Sequence, residues 1–160
     1  MATTTATGTR TIAHLWQDAV GRNPAGTAYL VENADGWRAV SWTDAARTVD
    51  ELAHGLLELG VRKGDAFAIL ASTRMEWVLF DFALALVGGV TAPIYVNSSP
   101  RDAAYVVEHS QAIGILCEDE EQRAKVDGLT LEHVLTFGDL DDLRACGREH
   151  AARSPMQWRA

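Results

Sequence analysis

The chain of 160 residues is 48% apolar and 22% charged, and its 14 basic against 22 acidic residues leave a net charge of −8. This is globular composition, which excludes a disordered or collagen-like chain, and the acidic balance excludes a basic face for nucleic acid. A compact chain of this length buries about 70% of the surface its unfolded form exposes, so it needs neither disulfides nor a metal to fold.

Residues 1–10, rich in threonine, read as a flexible tail that lacks the charged and apolar regions of a secretory signal. Thr11 is placed to cap a helix that carries Ile12, Leu15, Trp16, Ala19 and Val20 on one face, and Gly21 with Asn23-Pro24 stops it. Ala28 to Glu32 and Trp37 to Trp42 are short strand-type runs, and Asn33-Ala34-Asp35-Gly36 between them has hairpin-turn chemistry. Ser41 and Asp44 have capping-box spacing, with Thr43 as a competing cap. The helix that follows places Ala45, Ala46, Val49, Leu52, Ala53, Leu56 and Leu57 on one stripe and ends at Gly60.

After the Val61 to Asp65 turn, Ala66 to Ala71 reads as a buried strand. Met75 to Val87 is apolar on almost every face, as in a helix packed on several sides. Gly88-Gly89 ends it, and Val90 to Val96 reads as a second strand. Ser99-Pro100-Arg101-Asp102 combines a cap, a proline at the first helical position and an acid at the third, opening a helix that runs to Ser110. Ile113 to Cys117 is a third strand, His133 to Phe137 a candidate strand, and Leu140 to Ala152 a candidate helix with Leu140, Leu143 and Cys146 or Gly147 on its inner side. The order is βαβαβ behind a leading hairpin, which predicts an α/β fold with a parallel sheet and flanking helices. Between Cys117 and Asp142 nine acids stand against Arg123 and Lys125, a stretch expected to be a solvated face.

Chemistry is sparse. There is no GxxxxGK[ST], GxGxxG or GxSxG. The Thr3 to Thr11 run follows no strand, and Lys63-Gly64 falls in a solvated turn. Cys146, His150 and His133 lack a fourth zinc ligand, and Asp139, Asp141 and Asp142 fail the calcium-loop pattern. His54, one turn after Asp50, is expected in a surface ion pair. Ser98-Ser99 reads as capping chemistry, and Trp77 and Tyr95 as core packing ahead of a pocket. Cys117 and Cys146 have no CxxC spacing and fit unpaired thiols in a reducing compartment. The apolar run from Trp77 to Val96 is broken by Asp81, Gly88-Gly89 and Pro93, so no membrane span is expected.

The run Val40-Ser41-Trp42-Thr43-Asp44, then Ala53-His54-Gly55-Leu56 and Leu59-Gly60-Val61-Arg62-Lys63-Gly64-Asp65, resembles the opening of the AMP-forming acyl-CoA synthetases of the adenylate-forming ligase superfamily. The likeness continues through Ala68 to Trp77 and Gly88 to Tyr95. Asn97-Ser98-Ser99-Pro100, Tyr105-Val106-Val107 and His109-Ser110 are similar to the long-chain fatty-acid branch. It covers residues 11–126, the N-terminal part of the family's large domain, with 127–160 as a continuation that stops short of the phosphate loop. Thr73-Arg74-Met75 stands where the family usually has Asn-Arg-Pro.

The resemblance implies the family's two steps, adenylation of a fatty acid by ATP and thioester formation with CoA, with Mg2+ as the metal. It also implies that the phosphate loop ending Pro-Lys-Gly, the Tyr-Gly-x-Thr-Glu motif, the ribose-binding Asp and the C-terminal lysine lie beyond the matched segment. None of those motifs occurs in this sequence, and neither Lys63 nor Lys125 has the context of the catalytic lysine. The expectation is therefore a scaffold segment with no catalytic, cofactor-binding or metal-binding residue of its own, inactive alone and cytoplasmic. The alternatives are half of a split ligase acting with a complementary fragment, and a free-standing α/β binding module. A sheet taken from a larger domain is further expected to leave an apolar face and an unpaired edge exposed.

Overall fold

The computed structural model describes residues 10–154. The tail expected over 1–10 therefore lies, but for Arg10, outside the described residues. Helix α1 (Ile12–Arg22) opens on Thr11, whose hydroxyl accepts the His14 N–H at 3.3 Å while His14 Nδ1 accepts the Thr11 N–H at 3.1 Å. Trp16 turns inward and stacks on Phe82 with ring centroids 4.3 Å apart. Strands β1 (Thr27–Asn33) and β2 (Gly36–Ser41) pair antiparallel, and Gly36 takes the φ of +117° that the tight turn requires. The hairpin's inner side, with Tyr29, Val31 and Val40, packs on the core, while Leu30 and Trp37 face outward.

Helix α2 (Trp42–Glu58) starts at Ser41, whose Oγ accepts the Asp44 N–H at 3.0 Å. Thr43 does not compete for that cap; its hydroxyl donates to the Pro24 carbonyl at 2.9 Å and ties the helix to the connection between α1 and β1. The stripe Ala45, Val49, Leu52, Ala53 and Leu56 is buried. Gly60, at φ +89°, lets the chain leave the helix.

Then follow β3 (Ala66–Leu70), α3 (Met75–Val87), β4 (Val90–Ile94), α4 (Pro100–Ser110), β5 (Gly114–Cys117), α5 (Glu120–Ala124), β6 (His133–Thr136), a short 3-10 turn (Phe137–Asp139) and α6 (Leu140–Arg153). The four later strands form one parallel sheet in the order β4-β3-β5-β6. The βαβαβ expectation holds, and the candidate strand at 133–137 joins as a fourth member behind the unexpected one-turn helix α5.

Period-two alternation along β3 divides the core. Phe67 and Ile69 point to the side of α2, α3 and α6, whereas Ala68 and Leu70 point to the side of α4. Both faces of the sheet are thus covered, which explains why every residue of β3 is buried. Helix α6 folds back over α2 and covers that side of the core, while exposed apolar side chains remain on α1, where Ile12 and Leu15 of the expected inner face point outward, and on the hairpin at Leu30 and Trp37. The expectation of an open edge is met by β4 and β6, each hydrogen-bonded on one side only.

The α2–α6 crossing is close. A Cβ on Gly147 would lie 1.8 Å from the Glu51 carbonyl oxygen, and one on Gly55 would lie 2.5 Å from the Leu143 carbonyl oxygen. Gly147, not Cys146, is therefore the inward residue, and Cys146 is exposed.

Candidate functional site

In a parallel sheet, ligand-facing loops gather outside the carboxyl ends of the strands, where the winding reverses. Here the chain passes from β3 outward to β4 and then back across β3 to β5, so the reversal lies between β3 and β5. Ser72 follows the end of β3 and Glu118 directly follows β5. The Glu118 N–H donates to the Leu70 carbonyl at 3.0 Å, extending the ladder by one bond. Its side chain turns back, so that Oε2 accepts the Ser72 N–H at 2.8 Å and also the Ser72 hydroxyl. Arg74 Nη1 lies 3.5 Å from Oε1, and the same guanidinium reaches Glu76 at 3.4 Å and sits 5.6 Å from the centroid of the Phe137 ring.

The Ser72 hydroxyl, then the Ser72 N–H, and lastly Arg74 hold the Glu118 carboxyl below the usual carboxylate range. One strand over, Asp139 accepts the Thr136 N–H at 2.7 Å and its hydroxyl at 2.8 Å, and these bonds depress its pKa likewise. Burial pushes the Cys117 thiol up to about 12, which leaves it protonated and inert.

This arrangement is a clamp. A carboxylate held ionised by a hydroxyl, an amide and a guanidinium is a poor general base, and Arg74 is already shared between two carboxylates. Among the described residues no group of three His, Cys, Asp or Glu could hold a metal ion.

The other residues singled out in the sequence fall as follows. Lys63-Gly64 is a turn, with Gly64 at φ +94° and its N–H donating to the Gly88 carbonyl at 2.9 Å. The Lys125 ammonium donates to the Val96 carbonyl. Ser99 caps α4 through the Asp102 N–H at 3.2 Å. Trp77 packs against the core as expected. Tyr95 does not: it is 80% exposed, because the strand ends at Ile94 and the next residue leaves the sheet.

His133 lies in β6, apart from the other candidate zinc ligands, and its Nε2 is buried without a hydrogen-bond partner. The surface position expected for His54 is also corrected. It is 5% exposed, with Nδ1 2.9 Å from Nδ1 of His150, because α6 covers it. Glu118 was hidden in the acidic stretch read as a solvated face. Its partner lies 46 residues away, and the strand end just before it was the one available signal.

The switch point and the two covered faces define a doubly wound α/β segment. Within that class the chain belongs to the AMP-binding enzyme family, whose profile matches residues 16–156. It is 37% identical over 94 residues to the long-chain-fatty-acid–CoA ligase FadD15 of Mycobacterium bovis, a match covering 59% of this chain and 16% of that protein. The chain thus spans about a sixth of the length of this curated relative. Klebsiella oxytoca NpsA in complex with 3-hydroxyanthranilyl-AMSN superposes with a TM-score of 0.73 at 24% identity, over 87% of this chain and 26% of that one. The N-terminal domain of FACL13 from Mycobacterium tuberculosis gives 0.77 at 17% identity, over 86% and 36%. At these identities the two structures speak for the fold alone.

Proposed function

We propose that this chain is the N-terminal scaffold segment of an ATP-dependent long-chain fatty-acid–CoA ligase and does not adenylate by itself. The observation that carries the reading is the match to FadD15 within the family match over residues 16–156. In the whole ligase a fatty carboxylate attacks the α-phosphate of ATP, giving acyl-adenylate and pyrophosphate, and the CoA thiol then displaces AMP. ATP, Mg2+, CoA and the fatty acid would be held by residues outside this chain. Its part is to position them from the carboxyl edge of the sheet, with Ser72 and Glu118 holding the two central loops. Unpaired Cys117 and Cys146 suit the reducing cytoplasm, and no helix among the described residues is long and apolar enough to cross a membrane.

A second reading is half of a split ligase joined by a complementary polypeptide, which the acidic stretch between Cys117 and Asp142 would face. Fatty-acid-dependent ATP–pyrophosphate exchange tests both. The chain alone should give no exchange above the blank, and a clear signal would overturn the scaffold reading. Addition of the complementary segment of a fatty-acid–CoA ligase should restore exchange if the split reading holds. No restoration, with no association at micromolar concentration, would remove it.

A further inference from the structure

We propose that His54 and His150 form a proton-counting latch that couples the docking of α6 on α2 to pH. The two Nδ1 atoms stand 2.9 Å apart and the rings 5.1 Å apart between centroids. His54 is all but buried. A hydrogen bond between two imidazole nitrogens needs a proton on one and a bare lone pair on the other. The pair therefore accommodates its first extra proton with the bond intact. A second extra proton abolishes the bond and sets two cations in contact across the helix crossing.

The surroundings decide which way the pair leans. His54 lies in a groove of about 630 Å3 between α1, α2 and α6. From α2 it is faced by Arg47, Asp50 and Glu51, and from α6 by Arg148; α1 contributes the apolar Val20. Glu51 is already engaged by Arg144 at 2.8 Å and Arg148 at 3.2 Å, and Arg47 is paired with Asp44. Cys146 lies one turn before His150, and Arg153 pairs with Glu58 at 2.9 Å at the far end of the crossing. Burial, and next the charge of His150, hold His54 below the ordinary histidine range.

The sign follows from linkage. In the unfolded chain the His54 imidazole takes its proton as pH falls through about 6.5, whereas docked and hydrogen-bonded beside His150 it resists that proton. Stability is thus fully present above that pH and is lost as pH falls below it. Because the ion pairs of Arg144, Arg148 and Arg153 hold the same helix, acid loosens α6 rather than detaching it.

The test is the pH dependence of folding in the full chain and in His150→Gln, whose amide keeps a neutral partner for His54. Between pH 7.5 and 5.5 the folding constant of the unmodified chain should fall roughly threefold to tenfold more than that of the variant, the size of one lost hydrogen bond. Equal falls in both would overturn the proposal. If His150→Gln does not fold, the unmodified chain is read by NMR. The imidazole 15N signals of His54 and His150 should show two coupled steps, and the α6 amides should lose exchange protection with the second while the α4 amides keep theirs. Independent titration of both rings in the ordinary range, or unchanged α6 protection, would refute the latch.

Discussion

Glu118 is the residue on which the carboxyl edge of the sheet depends. Its bonds to Ser72 join two loops that emerge from neighbouring strands, and its side chain is mostly shielded from water. Hydrogen bonds to charged groups contribute about 1.5–3 kcal/mol, so Glu118→Ala should lower unfolding free energy by about 2 kcal/mol in denaturant titration. A change under about 0.5 kcal/mol would show the clamp to be slack. The sign with pH is fixed by the direction of the shift. The carboxyl is depressed below its ordinary value of 4.5, so its contribution is present above that pH and is lost as pH falls through the folded-state value. Glu118→Ala should accordingly flatten the acid limb of the stability curve below about pH 4.5. That limb lies beneath the range in which the His54–His150 pair acts, so the two contributions separate on one titration.

At the scale of elements, the α2–α6 crossing sets the arrangement of the first layer. Glycine within a helix costs about 0.5–1 kcal/mol relative to alanine, and two helices here accept that cost where their backbones touch. Gly147→Ala would drive a methyl group into the Glu51 carbonyl, 1.8 Å away, and should destabilise the fold by about 3 kcal/mol as α6 is pushed off. Gly21→Ala in α1 provides the contrast. Nothing lies within 4 Å of its Cβ position, so the same exchange should stabilise by about 0.5–1 kcal/mol. Thermal melts of the two variants that moved in the same direction would show the crossing to be looser than its geometry. The crossing was half legible in the sequence: the periodicity of Leu140 and Leu143 pointed to an inner face, but it did not choose between Cys146 and Gly147. The structure decides it, because Gly147 lies against the Glu51 carbonyl and Gly55 against the Leu143 carbonyl.

For the whole molecule, the faces of the parallel sheet are closed and its edges are open. Pro93, exposed on β4, lacks an N–H and so blunts one edge against pairing with another chain. Pro93→Val should leave stability within about 0.5 kcal/mol yet speed aggregation on warming, read by light scattering; unchanged scattering would locate the vulnerable edge at β6 instead. Most elements and their order, the short helix α5 and the 3-10 turn apart, were legible in the sequence, because caps, turns and helical periods are interactions between residues a few positions apart. Ser41 with Asp44 and Ser99 with Pro100 belong to that class. The same local logic misread Tyr95 and His54, since exposure depends on what the rest of the chain lays over a residue. Only the tertiary structure decided that Ser72 meets Glu118, that His54 meets His150, and that α6 covers α2. Those contacts join residues 46 and 96 positions apart, and they exist only once the sheet has wound in both directions and brought distant strand ends and helix faces together.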